Sequence, residues 1–341
     1  MRAVVISGPG TASVEDVELP EPAPGQVVVD VERVGVCGTD VELFRGEMAY
    51  VEQGRAWYPL RPGHEWCGRV VSVGKGVDRA WIGARVVGDT MLACGTCDRC
   101  AAGYRHLCRN LIEVGISLGF PGALAEQVAV PADSLHRLPD TIADDAAALV
   151  EPGGNAWRAA SAAEPREGTR VLVWGAGTIG LLTVAFARAA GAEVHLVSRD
   201  RRRIQLGLVL GAISAWSPAD IGQEIGRARF DAVIDATDDS SVPSAALDLV
   251  EPGGRVVYIG LSGEPSTIDT RRLVLKDVTA VGILSGSAGL APAIRHYADG
   301  SVDPRTLIEA TLPLERVPDV LAGWRPEPDR GRPKIVFDPR L

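Results

Sequence analysis

The stretch RVLVWGAGTIGLL at 170–182 limits the possible folds more than any other part of this chain. A valine-rich strand runs straight into Gly175-x-Gly177-x-x-Gly180 and on into an apolar helix. Each glycine has its own use: the first permits a tight turn, the second lets the backbone approach a pyrophosphate, and the third brings helix and strand close. The helix N-terminus then favours the ligand's negative charge. Gly175, Gly177, Thr178, Ile179 and Gly180 are therefore candidate contacts to a dinucleotide. Downstream, EVHLVS, a helix ending near Gly211, DAVIDAT and RVVYIG continue the alternation of strand and helix until it fades after AVGIL near residue 284. Such alternation builds a parallel sheet covered by helices.

The end of the next strand governs which dinucleotide binds, because a carboxylate about 20 residues beyond the glycines accepts from the ribose hydroxyls of NAD. Here the text is HLVSRDRRR. Ser198 and Arg199 stand where that carboxylate would be, and Arg201, Arg202 and Arg203 follow, which suits a 2′-phosphate; Ser198, Arg199 and Arg203 are the candidate contacts. Asp200 keeps the bare ribose reading open, and an arginine run at a helix start is also an ordinary solvated surface.

At 341 residues the chain exceeds one core, since domains run to about 150 residues each. From Val4 to about Val130 the text is strand-like, as in VVVDVERVGV and GRVVSV, which predicts a β-rich first lobe. Near DTIADDAAALVEP the character turns helical, with Thr141 as the expected cap and helix running through Ala163. We read 1–153 as a first domain, 154–285 as a doubly wound α/β domain, and 286–341 as a return to the first.

Four of the six cysteines crowd into CGTCDRCAAGYRHLC. Cys94, Cys97, Cys100 and Cys108 have spacings that wrap a single tetrahedral zinc, and four protein ligands leave no open position, so such an ion would be structural. Two further stretches, GVCGTD and PGHEWCG, hold Cys37, His64 and Glu65. Three protein ligands leave a place for substrate, as a catalytic zinc requires.

Together, CGTD, GHE, the four-cysteine loop, VEP at 150–152 and GAGTIG occur in one order along nearly the whole chain, and here it resembles the zinc-dependent medium-chain dehydrogenases of the alcohol dehydrogenase superfamily. The resemblance implies a GroES-like catalytic domain carrying one catalytic and one structural zinc, a Rossmann domain for NADP(H) or NAD(H), and an active site in the cleft. Its polyol, threonine and glucose dehydrogenase branch is the most similar, because Glu151 stands where ethanol-type members place a second zinc cysteine. Within that branch Glu151 binds zinc directly or through water, and Glu65 can ligate as well, so the two can exchange. Thr39 would begin a proton relay. Many relatives carry a histidine at the position of Glu42, which here either accepts the proton itself or is a solvated side chain. Gly153-Gly154-Asn155 also departs from the family, with no mechanistic reading.

The resemblance implies hydride transfer between NAD(P) and a secondary alcohol of a polyol, sugar or cyclitol. Carbonyl reduction in a biosynthetic pathway, or binding without catalysis, are the alternatives. It also implies a homodimer or homotetramer built through the strand near VTAVGIL. Net charge is −9 with arginines scattered, which argues against nucleic acid or an anionic membrane surface as partner. The text MRAVVISGPG does not read as a signal peptide and no apolar run approaches a membrane span, so a cytoplasmic protein is expected.

Overall fold

QVVVDVERVG forms the strand Gln26–Gly35, whose valines are buried while Asp30 is exposed. It is the hub of a seven-stranded sheet, ordered Ile308–Leu312, Lys334–Phe337, Gln26–Gly35, Glu65–Val73, Arg85–Gly88, Leu135–Arg137, with Gln127–Pro131 also pairing the hub. Val27, Val29, Trp66, Leu124, Ile335 and Phe337 belong to one buried core. Register sets Gly35 opposite both Glu65 and Val336. The computed structural model describes residues 1–221 and 229–341. This sheet belongs to a unit made of Met1–Glu151, Ile308–Glu327 and Lys334–Leu341. The β-rich expectation holds with one exception that matters for chemistry, the helix Gly38–Arg45.

The second unit, Pro152–Leu307 with Pro328–Pro333, is built on six parallel strands. Their order is Ser214–Trp216, Glu193–Val197, Arg170–Trp174, Phe230–Asp235, Val250–Tyr258, Thr279–Gly282, so the chain runs outward one way from Arg170–Trp174 and then the other way from Phe230–Asp235. That reversal is the topological switch point at which doubly wound sheets take ligands. Leu172, Val197, Phe230, Val233 and Leu247 fill the core here.

Two expectations change. The return to the first unit comes at Ile308, not at 286, because Leu290–Ala298 is a further helix of the second unit. Thr141 does not cap a helix: Ile142 closes a turn onto the Pro139 carbonyl, and the helix Asp144–Ala148 starts after Ala143 with its first turn supplied by Asp144 and Asp145. A second helix, Val150–Ala162, follows. The glycine pair within it also acquires a reason. A Cβ on Gly153 would collide with the Tyr297 hydroxyl, and one on Gly154 would stand 2.8 Å from the Gly286 carbonyl and 2.9 Å from Leu290. The pair lets this helix lie against the segment that leads into Leu290–Ala298.

Candidate functional site

The four-cysteine loop is closed at its base by Met91–Leu92 pairing antiparallel with Ile112–Glu113. Within it the sulfurs of Cys94, Cys97, Cys100 and Cys108 all lie within 4.8 Å of one another. Sulfurs held at about 2.3 Å from a tetrahedral zinc stand about 3.8 Å apart. Cys97 lies 3.5 Å from Cys100 and 3.8 Å from Cys108, so the set fits the ion. Backbone N–H groups of Cys94 and Asn110 donate to the Cys108 sulfur. The Cys94 thiol is pulled down to about 5, first by the Thr96 hydroxyl at its sulfur. Cys100 is pushed up to about 12 by loss of water contact and by Cys97 beside it. A cation held among the four sulfurs would let all of them carry negative charge together.

Cys37 caps the helix Gly38–Arg45. Its sulfur accepts from Thr39 N at 3.2 Å, while the Asp40 carboxylate accepts from Cys37 N at 2.9 Å. His64 Nε2 faces this sulfur at 3.1 Å, and one oxygen of Glu65 completes a group within 4.8 Å. On its other side His64 Nδ1 lies 3.6 Å from Asp40 Oδ1 and has no hydrogen-bond partner among the described residues. Burial works against a charged imidazole, yet Cys37, Asp40 and Glu151 outweigh it and hold the His64 pKa well above its ordinary range. The surroundings thus demand a positive charge where Cys37 and His64 meet, which a zinc ion satisfies as well as a proton does.

Asp40 was not legible as a site residue, although it is the last letter of CGTD. Fully buried, it also accepts from Gly63 N at 3.1 Å, and its carboxylate stands behind the histidine, where metal-bound histidines commonly have a carboxylate. Lys334 was missed as well: its buried ammonium donates to Glu65 Oε2 at 2.5 Å. Burial disfavours that charge, but Glu65 and Cys37 more than offset it and the lysine pKa is raised.

Glu151 is buried but is not part of the group formed by Cys37, His64 and Glu65. Its Oε1 accepts from the Thr90 hydroxyl at 3.3 Å. Glu42 is exposed on the helix that Cys37 caps, three residues beyond Thr39 and so on the same face. Its carboxyl is raised, chiefly by displaced water and secondly by Glu47.

In the second unit a cavity of about 650 Å³ opens at the switch point, lined by Gly175, Gly177, Ser198, Arg199, Arg203 and Thr237 among others. Gly175 has φ 109°, and a Cβ on it would lie 2.5 Å from the Ala236 carbonyl; one on Gly180 would collide with the Gly175 carbonyl. A Cβ on Gly177 would meet nothing within 4 Å, so open space lies where a pyrophosphate would rest, at the start of the helix Thr178–Ala189 that also carries Ile179. Ser198 is tied into a turn with Asp200 N at 3.1 Å. Asp200 is gripped by Arg202 through three hydrogen bonds of 2.9 Å, two from the guanidinium and one from the backbone N–H, with Arg203 at 3.7 Å. Arg199 is exposed and meets Asp238 at 3.1 Å.

Residues 23–140 match the alcohol dehydrogenase GroES-like domain and residues 178–299 match the zinc-binding dehydrogenase family. Over 276 residues the chain is 36% identical to L-threonine 3-dehydrogenase of Anaeromyxobacter sp. (strain K), covering 79% of this chain and 78% of that protein. The chain belongs to the zinc-dependent medium-chain dehydrogenases of the alcohol dehydrogenase superfamily. A zinc-binding dehydrogenase from Sinorhizobium meliloti 1021, solved bound to NADP, is 31% identical to it and superposes with a TM-score of 0.91, covering 99% of each chain. A structure described as a short chain alcohol dehydrogenase of Escherichia coli CFT073, complexed with NADH, is 28% identical with a TM-score of 0.91 and the same coverage. This dehydrogenase is accordingly a zinc-dependent, NAD(P)-dependent oxidoreductase of alcohols. Among its described residues no helix is long and apolar enough to cross a membrane.

Proposed function

We infer that the enzyme oxidises a secondary alcohol of a polyol, sugar or cyclitol with NADP(H) as the favoured coenzyme. The L-threonine 3-dehydrogenases it resembles are named for a secondary alcohol, which supports the substrate class. The observation that carries the coenzyme preference is the engagement of Asp200: its two oxygens are taken up by Arg202, while Arg199 is held only by surface ion pairs, to Asp238 at 3.1 Å and to Asp239 at 3.9 Å. Exposed pairs are worth about 0–1 kcal/mol. An arginine–phosphate contact is worth about 1.5–3 kcal/mol, so a 2′-phosphate can take Arg199 from Asp238 and from the longer pair with Asp239.

Cys37 and His64, with Glu65, would hold the catalytic zinc, and Glu151 would approach when substrate is absent; Cys94, Cys97, Cys100 and Cys108 would hold the structural ion. Zinc supplies Lewis acidity that eases loss of a hydroxyl proton near neutral pH, and the nicotinamide supplies the hydride acceptor. Asp40 fixes the ring of His64. Thr39 takes the proton outward, and Glu42 on the same helix face is its acceptor. Gly175 to Gly180 hold the pyrophosphate against the helix start. The chain works in the cytoplasm, where thiols stay reduced, as a homodimer or homotetramer joined through the edge strand Thr279–Gly282.

The test is kcat/KM for polyols, cyclitols, sugars and L-threonine with both coenzymes, on the wild type and on Arg199→Asp. NADP should be preferred by the wild type, and the substitution should move preference toward NAD by about tenfold or more. A wild type that favours NAD would make Asp200 the ribose ligand and overturn the coenzyme assignment.

A further inference from the structure

Three strands meet behind the catalytic group. Glu65 begins one, Gly35 ends the next and lies opposite it, and Lys334 begins the third, whose Val336 pairs with Gly35. Lys334 is 1% exposed, and its ammonium has two acceptors, Glu65 Oε2 at 2.5 Å and the Val36 carbonyl at 3.0 Å. Gly35 supplies the room for this contact, because a Cβ there would collide with Glu65 Oε2. Its backbone is not left-handed, so conformation alone does not call for glycine. Stability is a weak reason for the pair, since a buried ion pair is often no better than packed apolar side chains. Its location is the better reason: the same carboxylate lies within 4.8 Å of the ligand atoms of Cys37 and His64. Two cations therefore compete for one carboxylate.

We propose that Lys334 is a positioning residue for the catalytic centre: with the space left by Gly35, it draws the Glu65 carboxylate back from the metal so that a coordination position stays open to substrate. This deepens the reading that Cys37, His64 and Glu65 hold the catalytic zinc. It adds what sets the strength of the third ligand. Cys37 and His64 are the fixed pair, and Glu65 ligates only as far as Lys334 releases it.

The experiment uses the full chain with cobalt(II) in place of zinc. Lys334→Met should bring Glu65 onto the metal, weakening and shifting the visible d–d absorption of the catalytic cobalt. Metal release to a chelator should slow by about tenfold or more, and kcat should fall while KM changes less. Lys334→Arg, which keeps the charge, should restore all three. Adding Glu65→Gln to Lys334→Met should return the release rate to the wild-type value. Gly35→Ala removes the space without removing the charge and should act in the same direction as Lys334→Met, so it decides the question if the lysine variant fails to fold. An unchanged spectrum and release rate in Lys334→Met or in Gly35→Ala overturns the proposal. A wild type that takes up one metal per chain, at the four cysteines alone, overturns instead the reading of the catalytic site on which the proposal stands.

Discussion

His195 is a buried group outside the site that makes stability depend on acid. It sits in the strand Glu193–Val197, stacked on Trp216 with ring centroids 5.3 Å apart and edge-on to Phe230. Its Nδ1 meets the Ser214 hydroxyl at 2.7 Å, and its Nε2 has no hydrogen-bond partner among the described residues. Burial, then the charge of Arg170, pulls its pKa down to about 4. An unfolded histidine titrates near about 6.5. Between these values the unfolded chain binds the extra proton, so stability is complete above the unfolded pKa and declines as pH falls toward the folded one. After allowance for solvent screening the loss is on the order of 1–2 kcal/mol. His195→Gln should flatten the dependence of the urea midpoint on pH across that window, and an unaltered slope would assign the acid sensitivity to other groups. At this scale the sequence is readable where residue type and spacing alone carry the chemistry, as for the four cysteines, Cys37 and His64. Lys334 was not readable, because it reaches Glu65 across 269 residues and only strand pairing brings them together.

At the scale of elements, glycines separate packing from binding. Gly154 lies within the helix Val150–Ala162, where alanine would gain about 1 kcal/mol of helix propensity. Against this, a Cβ there meets the Gly286 carbonyl, which as backbone cannot step aside, and overpacking costs about 1–3 kcal/mol. The loss wins, and Gly154→Ala should lower thermal stability while leaving coenzyme affinity near normal once folded. Gly177→Ala should do the opposite. Its Cβ meets nothing in the protein, so the melting temperature should hardly move, but it would occupy the approach to the helix start and weaken NADPH binding, measured by fluorescence titration, by about tenfold. Equal effects of the two on binding would remove the pyrophosphate from Gly177. The strand, turn and helix around these glycines could be read from the text because each requirement is local. The use of Gly153 and Gly154 could not, since the residues they make room for, Tyr297 and Leu290, lie far along the chain.

For the whole molecule, the strand and helix alternation announced the parallel sheet, but no local signal marks the return at Ile308, which depends on which core each segment joins. Two separate cores imply that the units respond differently to loss of metal. Both zinc groups, Cys94 to Cys108 and Cys37 with His64 and Glu65, lie in the first unit. Structural zinc contributes about 10–16 kcal/mol of apparent binding free energy, whereas a whole domain is stable by about 5–15 kcal/mol. Removing the ion therefore threatens the first unit outright. The second unit has its own core of Leu172, Val197, Phe230 and Val233 and no metal group among its described residues. After chelation, hydrogen exchange should accelerate in Gln26–Gly35 and Glu65–Val73 while Arg170–Trp174 and Phe230–Asp235 remain protected and NADPH still binds. Cys97→Ser should reproduce this exchange pattern without chelator, and His64→Ala, which leaves the four cysteines whole, should abolish turnover with the pattern unchanged. Uniform loss of protection in both units on chelation would show that they unfold as one, and the structural ion would then stabilise the entire chain.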